Sequence, residues 1–403
     1  MRITAVESRR MKHMDHAGYS GRNDSSQACR QRRTVQIALT IACGALWLVP
    51  ATDSSAAEPE VSIVWESGKD GYHTYRIPAV LTAANGDLLA FCEGRRNSAR
   101  DHGNLDLLQK RSTDGGRTWS EQEVIHEEGG EEEITIGNPC PVLDRETGVL
   151  WMPFTRNNDH VFMMHSDDHG ETWSEPADIT QDVKRDDWGW YATGPGVGIQ
   201  LTVGDHAGRL VIPCDHRSKE YDCGSHVIYS DDHGKTWTLS QNTVYPGSNE
   251  CQVVELADGR LMLNSRMQNS RETGQRGVSF SDDGGETWSP LSQESGLKDP
   301  VVQASFLRLK LEPGQRGNVL LFSNPDVPQS VERGRRVDLT VRASFDEAET
   351  WPHARLLHPG PAAYSCLVAL PEDNIGCLYE AGDENAYQTI RFARFNLDWL
   401  TGE

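Results

Sequence analysis

An eight-residue pattern, Ser-x-Asp-x-Gly-x-Thr-Trp, occurs five times in this chain and restricts its fold more than any other feature. Four copies are complete, and the fifth lacks the glycine. The copies are Ser112–Trp119, Ser166–Trp173, Ser230–Trp237, Ser281–Trp288 and Ser344–Trp351. Their tryptophans are separated by roughly 50 to 65 residues, a period that predicts a structure assembled from one repeated supersecondary unit.

Each copy, called an Asp box below, has the composition of a tight turn between two strands. Its Asp can bond the backbone that follows, and its Gly can adopt positive φ without steric cost. Apolar segments that favour strands precede three boxes, at Val161–Met164, Val227–Tyr229 and Val278–Phe280. The box Trp is expected to pack against the same ring of a neighbouring unit. This pattern predicts an all-β fold, a β-propeller, in which the box Asp residues stabilise turns and take no part in catalysis.

The chain is strongly acidic, with 403 residues and a formal net charge of -21. The first 57 residues are net basic, so the remainder is more acidic still. Such a surface repels nucleic acid and anionic membranes, and neither is expected as a partner. No Ser- or Pro-rich linker follows residue 58, and we predict one domain over residues 58–403.

Residues 1–57 have the pattern of a leader peptide. Arg30, Arg32 and Arg33 precede the apolar segment Val35–Val49, and the small residues Ser54–Ala57 follow it. A basic segment, a short apolar segment and small residues predict cleavage near Ala57 and export to the periplasm or beyond the cell. An uncleaved membrane anchor remains the alternative.

Seven cysteines follow the leader, an odd number at low density, which does not indicate a disulfide scaffold. Most lie in apolar segments and are interpreted as small core residues. The set Cys214, His216, Cys223 and His226 lacks the spacing of a zinc finger. We therefore predict no metal and no cofactor.

Charged residues near the start of the domain stand at strand ends. Arg76 lies between aromatic and aliphatic neighbours in Tyr75-Arg76-Ile77-Pro78, where a buried charge needs a partner. Glu93-Gly94-Arg95 lies at the end of the next predicted strand, and the loop Asn97–Asn104 follows it. At the other end of the chain, the last strand, Ile390–Phe395, is expected to pair with the first blade of the propeller and close the ring.

These segments, with the spacing of the boxes, resemble those of secreted bacterial exo-sialidases of the Asp-box (BNR) repeat family. The resemblance covers residues 60–400. It implies a six-bladed β-propeller that removes terminal α-linked sialic acids from oligosaccharides, glycoproteins or glycolipids, without an obligatory protein partner. In this family the Gly- and aromatic-rich segment Asp186–Gly196, interpreted here as a loop, borders the sugar pocket.

Sialic acid carries a carboxylate on its anomeric carbon, and arginine can bind that group through two parallel hydrogen bonds. The resemblance assigns substrate-binding roles to four arginines: Arg76, Arg266 and Arg336 on the carboxylate, and Arg95 at the pocket mouth. Arg96 and Arg335 are adjacent to two of them, and either assignment can shift by one residue. Glu380 is expected to support Arg76 from behind.

The resemblance also implies a tyrosine nucleophile, a recognised exception among retaining glycosidases. A carboxylate would be repelled by the substrate's own carboxylate, whereas a neutral phenol is not but needs a base beside it. Tyr364 corresponds to the nucleophile and Glu250 to its base, although Tyr364 could also be a core residue. Asp101 is favoured over Asp106 as the acid/base, because it lies in a Gly-containing loop, next to His102.

The sequence is also compatible with two other functions. A non-catalytic Asp-box protein could bind sialylated or other acidic glycans, although it would be expected to have lost some of these charged residues. A trans-sialidase would retain the same catalytic set and differ in the loops at the pocket rim.

Overall fold

Antiparallel β-strands form nearly all the regular structure in this computed structural model, which describes residues 57–402 except 245, 269–273, 310–318 and 327–335. The helical segments in these ranges are short: α1 (Thr180–Val183), a 3₁₀ turn (Gly204–His206) and α2 (Leu397–Thr401). No helix among the described residues is long and apolar enough to cross a membrane. The predicted all-β class is confirmed, whereas the predicted leader, up to residue 56, and Arg335 lie outside these ranges.

The strands follow one another as antiparallel meanders. The first strand, β1, is Glu60–Glu66. The first sheet contains β2 (Thr74–Thr82), β3 (Leu88–Arg95), β4 (Leu105–Ser112) and β5 (Glu123–His126). The second sheet contains β6 (Ile136–Gly137), β7 (Val142–Leu143), β8 (Leu150–Arg156), β9 (His160–Ser166) and β10 (Ala177–Asp178).

The third and fourth sheets repeat this arrangement. The third contains β11 (Trp188–Thr193), β12 (Ile199–Gln200), β13 (Leu210–Ser218), β14 (Cys223–Ser230) and β15 (Thr238–Leu239). The fourth contains β16 (Ser248–Glu255), β17 (Leu261–Met267), β18 (Gln275–Ser281) and β19 (Ser292–Lys298). The interpretation of Asp186–Gly196 as a loop was wrong for its centre, because residues of β11 pair with β13.

The remaining strands form one continuous path of seven. They are β20 (Ser305–Leu309), β21 (Val319–Pro325), β22 (Val337–Ser344), β23 (His353–Ala369), β24 (Asn374–Ala381) and β25 (Thr389–Asn396), followed by β1. The 17-residue strand β23 pairs with β22 up to Pro361 and with β24 from Ala362 onward. The path therefore consists of two four-stranded halves that share β23, called the fifth and sixth sheets below.

Burial links these sheets in a ring. Each of six apolar clusters contains residues of two neighbouring sheets, and one of them joins the sixth sheet to the first, as with Phe392 and Ala90. The last strand, β25, pairs with β1, as Val61 opposite Ala393 illustrates. The last strand was expected to pair with the first blade, but its partner β1 belongs to the sixth sheet, whose edge it protects.

The five Asp boxes share one hydrogen-bonded turn. In the second box, Ser166 Oγ accepts from Gly170 N at 2.8 Å, and Asp168 accepts from the N–H and hydroxyl of Thr172. The Thr172 hydroxyl and N–H lower the pKa of Asp168 to about 2. Gly170 has φ +81°, and in the fifth box Ala348 adopts the same region with φ +70°. The box Asp residues are fully engaged in these turns.

The box tryptophans do not pack against one another as expected. The Trp119 ring meets Phe392 of the sixth sheet edge-on, with centroids 5.4 Å apart, and Trp173 meets Phe91 of the first sheet at 5.9 Å. Trp237 contacts a tryptophan, but this is Trp151 of β8, outside any box. Each of these rings reaches over the strands of the preceding sheet, so the boxes fasten one sheet to the one before it.

The box glycines are expected to be essential for stability. A Cβ at Gly234 (φ +83°) would overlap the Trp151 ring, whereas at Gly86 (φ +92°) it would meet nothing within 4 Å. Gly86→Ala should cost the conformational strain alone, about 1 to 2 kcal/mol. Gly234→Ala should cost about 3 kcal/mol or more, because overpacking is added to the strain. Urea denaturation measures both, and equal losses would contradict this role of the box.

Candidate active site

Buried charged side chains from several sheets line a cavity of about 890 Å³. Seven of the residues predicted to form the site line it: Arg76, Arg95, Asp101, Glu250, Arg266, Arg336 and Tyr364. The eighth, Glu380, lies directly behind them and is fully buried. The structure therefore brings together residues from the first, fourth, fifth and sixth sheets.

Strand irregularities position three of these side chains. In β2, β16 and β23 the pairing register shifts at the segment that carries Arg76, Glu250 or Tyr364. The shifts fall between Arg76 and Ala79, between Ser248 and Cys251, and between Ala362 and Ser365. A bulge bends its strand and redirects a side chain, so each of these residues can point into the pocket.

Glu380 connects two parts of the site through buried hydrogen bonds. Its Oε1 accepts from Arg76 Nε at 2.7 Å and from Ile77 N at 3.0 Å, and its Oε2 accepts from Tyr364 N at 3.1 Å. Ile77 has φ +60°, which is strained for a β-branched residue, and its bond to Glu380 holds that conformation. The predicted contact between Glu380 and Arg76 is present, and the same carboxylate also fixes the backbone of Tyr364.

Tyr364, Glu250 and Arg266 form a closed hydrogen-bonded group. The Tyr364 hydroxyl donates a short hydrogen bond to Glu250 Oε1. Arg266 Nη1 donates to Glu250 Oε2 at 2.7 Å and to the Tyr364 oxygen at 3.2 Å. The phenol oxygen thus has a base on one side and a permanent cation on the other.

Opposing effects act on the Tyr364 phenol. Burial raises its pKa above the ordinary value, and the Glu250 carboxylate raises it further, whereas Arg266, Arg336 and Arg76 lower it in part. The net direction is upward, so the phenol is neutral at neutral pH. Ionisation during a reaction therefore requires that the proton pass to Glu250, the acceptor that it already contacts.

Aromatic rings surround the remaining guanidinium groups. Arg76 lies over the rings of Tyr364 and Tyr387, with Cζ 4.9 Å and 4.2 Å from their centroids. Arg336 lies over Tyr364 at 5.6 Å and donates to the Tyr387 hydroxyl at 3.2 Å and to Val301 O at 3.0 Å. These contacts hold the guanidinium groups of Arg76 and Arg336 beside the Tyr364 ring, and an aromatic ring does not neutralise their charge.

Arg95 and Asp101 meet at the rim of the pocket. Arg95 Nη1 donates to Asp101 Oδ1 at 2.7 Å, and Arg76 Nη1 lies 3.4 Å from the same oxygen. The Asp101 side chain is nevertheless 82% exposed. Partial desolvation raises the pKa of Asp101, but Arg95 and Arg76 outweigh it and hold the pKa below its ordinary value. Asp101 is therefore an accessible carboxyl group whose ionised form is stabilised by Arg95 and Arg76.

Comparison with known proteins supports this assembly. A BNR repeat-like domain matches residues 86–378. The chain is 38% identical over 362 residues to a sialidase of Micromonospora viridifaciens, an alignment that covers 83% of this chain and 53% of that protein. The chain belongs to the sialidase family with BNR repeats.

Other members of the family differ in length. An exo-alpha-sialidase of Arthroderma benhamiae is 30% identical over 372 residues, covering 82% of this chain and 85% of that protein. The solved structure of the Hadza microbial sialidase Hz136 matches with a TM-score of 0.75 at 30% identity, over 84% of this chain and 69% of that one. The chain thus spans about half of the Micromonospora sialidase but most of the Arthroderma one.

The structure distinguishes the sialidase-family residues from their neighbours in sequence. Arg96 points away from the pocket, with Nη2 2.6 Å from Asp106 Oδ2, and its Cζ lies over the Tyr72 ring. Asp106 is fully buried in that pair, whereas Asp101 lines the pocket together with His102. For the second doublet, Arg336 lines the pocket, and Arg335 lies outside the described residues.

Several pocket residues were not predicted. Glu93 Oε2 accepts from Arg95 Nε and Nη2 at 3.0 and 2.7 Å, and strand alternation places both residues on one face. The two-residue spacing of Glu93 and Arg95 in the sequence could have predicted this ion pair. Tyr387 is in a loop with no comparable pattern. Behind the pocket lining, the buried Asp215 carboxylate accepts a hydrogen bond from Asn249 Nδ2, and burial, followed by the neighbouring Glu250 carboxylate, raises the pKa of Asp215 far above its usual range.

The seven cysteines and the two histidines of the possible zinc set are buried. The seven cysteines of the described chain are buried and free, as expected of core residues. His216 and His226 meet through their Nδ1 atoms at 3.0 Å, and Trp188 stacks on His216. No group of three or more His, Cys, Asp or Glu side chains in the described ranges has the arrangement of a metal site.

Glu380 is expected to be required for the stability of the pocket. Glu380→Gln removes the buried negative charge beside Arg76 and can place an amide donor against the Tyr364 N–H. We expect a loss of about 3 kcal/mol or more in the free energy of unfolding, since breaking a buried ion pair leaves a charge uncompensated. Chemical denaturation tests this, with exposed Glu121→Gln as control. A loss no larger than that of the control would contradict it.

Proposed function

We propose that this chain is an exo-α-sialidase that hydrolyses terminal α-linked sialic acids with retention of configuration, through a covalent bond to Tyr364. The observation that supports this most directly is the buried hydrogen bond between Tyr364 and Glu250, with Arg266 on both groups. A phenol placed against a carboxylate base and a guanidinium cation has what a phenolate nucleophile needs.

The arginines supply the affinity for an anionic sugar. Arg76, Arg266 and Arg336 converge around Tyr364 from three sheets, and their guanidinium groups can bind the substrate's carboxylate beside the anomeric carbon. Because this carboxylate is bonded to the reacting carbon, holding it also fixes that carbon against the phenol. Sialylated oligosaccharides, glycoproteins and glycolipids are the substrate class.

The reaction takes two steps. First, Tyr364 transfers its proton to Glu250 and attacks the anomeric carbon, while Asp101 protonates the departing glycosidic oxygen as the C–O bond breaks. Second, Asp101, now a carboxylate, takes a proton from water, and the water oxygen displaces the Tyr364 oxygen from the anomeric carbon. Glu250 returns its proton to Tyr364, and the two inversions give overall retention. The residues in place require no cofactor for this sequence.

The scaffold for this site is a six-bladed β-propeller. Six antiparallel units of four or five strands, the six apolar clusters that join each unit to the next, and the pairing of β25 with β1 support this architecture. In such a ring the first strands of the units surround the axis, and the pocket lies at one end of it. Export after cleavage near Ala57 is proposed as well, and N-terminal sequencing of the exported chain tests it.

Replacement of the nucleophile provides the first test. Tyr364→Phe should lower the rate of free sialic acid release from sialyllactose by about 10³-fold or more, because no other group can form the covalent bond. Tyr229→Phe, which alters a buried tyrosine of the third sheet, should leave this rate unchanged. With the unaltered protein, proton NMR should show the α anomer first. Near-native retaining turnover in Tyr364→Phe would contradict the mechanism, and transfer to added lactose instead of release would identify a transferase.

The pH profile provides a second test. With a leaving group that needs protonation, kcat/KM falls as pH rises through the pKa of Asp101 in the free protein, which Arg95 and Arg76 keep low. In the complex the substrate's carboxylate engages arginines, so Asp101 should retain its proton to higher pH. We expect the falling limb of kcat at higher pH than that of kcat/KM for sialyllactose. Coincident limbs, or the reverse order, would contradict this role.

A further inference from the structure

A second cavity, of about 300 Å³, lies at the end of the ring opposite to the candidate active site. Every sheet contributes to it, through residues 80–82, 143, 145, 197–200, 254–255, 306–308 and 367–369, and it is called the axial cavity below. In β2, Arg76 lines the pocket and Leu81 lines the axial cavity; in β23 the corresponding residues are Tyr364 and Val368. At about 3.3 Å per residue, roughly 13 to 17 Å separate the two sites.

Buried polar contacts lie on the strands between the pocket and the axial cavity. Gln303 Nε2 donates to Ser365 O at 2.9 Å, and Gln303 Oε1 accepts from Ser365 N at 3.0 Å. Gln252 Nε2 donates to Pro195 O at 2.9 Å. No described residue lines both cavities. The axial cavity is therefore a separate site and not an extension of the pocket.

Most of the wall of the axial cavity is apolar. Leu143, Ile199 and Leu307 come from three different sheets and are only half-buried, so part of their apolar surface is left uncovered by the described residues. Behind them, the side chains of Val254 and Phe306 are buried. A ligand with an apolar part would gain by covering this surface, because the hydrophobic effect favours its removal from water. The volume is at the lower limit for small-molecule sites.

The polar side chains of the wall, with one exception, already bind protein groups. Both oxygens of Glu255 accept hydrogen bonds from neighbouring backbone and hydroxyl groups, at 2.6 to 3.0 Å. Arg308 forms an ion pair with Glu347. The Thr82 hydroxyl donates to a backbone carbonyl at 3.2 Å, and Gln200 Nε2 donates to a buried carboxylate at 2.8 Å.

The exception is Arg145, an exposed residue at the mouth of the axial cavity. Its backbone N–H donates to Gln200 Oε1 at 2.8 Å, which fixes its position. Its guanidinium group has no hydrogen bond or ion pair within the described ranges. Desolvation by the surrounding protein lowers the pKa of Arg145, and the attraction of Glu255 offsets this only in part. A ligand carboxylate placed here would supply the missing counter-ion.

We propose that the axial cavity binds a small amphiphile, a monocarboxylate with an alkyl chain. Its carboxylate pairs with Arg145, and its chain covers the apolar wall around Ile199. A neutral apolar molecule would leave the guanidinium group unpaired, and a cation would be repelled by it. A free sugar acid would present hydroxyl groups to a wall that has no free polar partner for them among the described residues. The site does not depend on the proposed hydrolase function.

Titration calorimetry with hexanoate, octanoate and decanoate tests the ligand class on the unaltered protein. The affinity should rise about three- to fourfold for each added methylene group until the cavity is full. Decylamine has the same chain length as decanoate and is a cation at neutral pH. It should bind at least about tenfold more weakly than decanoate, because it would face Arg145 instead of pairing with it.

Two variants test the place of binding. Arg145→Gln should lower the affinity for decanoate about tenfold, the effect of losing a charged hydrogen-bonding partner. Arg260→Gln, the matched control, alters an exposed arginine that does not line the cavity and should leave the affinity within twofold. Ile199→Trp places a larger ring in the cavity and should weaken binding at least about tenfold. Circular dichroism and thermal melting check that each variant folds.

A competition experiment separates this site from the candidate active site. Free sialic acid in excess should not displace decanoate. Displacement, equal affinities for decanoate and decylamine, or equal affinities of Arg145→Gln and Arg260→Gln would overturn the proposal. So would unchanged binding in a folded Ile199→Trp variant, or no binding of decanoate at about 1 mM. The release of sialic acid from sialyllactose tests the proposed function separately, and neither result decides the other.

Discussion

The structure depends on buried arginines that are held in place by buried carboxylates. Glu380 holds Arg76, Glu250 holds Arg266 and Glu93 holds Arg95, each through a hydrogen bond of 2.7 Å. An uncompensated guanidinium group in such a place would be costly, and so would its carboxylate alone. The chain has a net charge of -21, so its overall electrostatic field repels anions. A pocket that binds an anion therefore needs a local excess of positive charge. It is built locally, because Arg76, Arg95 and Arg266 are each held by a buried carboxylate.

This pairing explains why the site lies where several sheets meet. No single strand carries a complete set, because alternate residues of a strand point to opposite faces. Arg76 and Tyr364 come from different sheets, and Glu380, next to both, fixes a side chain of one and a backbone N–H of the other. The Asp boxes contribute indirectly: by fastening each sheet to the preceding one, they keep the distances between these strands constant.

The sequence predicted the repeated turns, the all-β class and the residues that line the pocket. The boxes could be predicted because each is a short, local sequence pattern. The charged residues of the pocket were predicted from the resemblance to known sialidases. Three features could not be predicted from the sequence. The bulges at Arg76, Glu250 and Tyr364 depend on strand pairing, which no local pattern records. The packing of the box tryptophans depends on the shape of the preceding sheet. Tyr387 comes from a loop whose position is set by its contacts with distant residues.

The central claim is that Glu250 and the arginines make the Tyr364 phenol a nucleophile, and one measurement tests it most directly. A sialosyl fluoride with a second, electron-withdrawing fluorine on the ring should form the covalent bond to the protein faster than water can break it. Peptide mass spectrometry should then find one sialosyl group per chain, on Tyr364, and none in Tyr364→Phe. A label on Glu250 or elsewhere, or turnover without any label, would contradict the account.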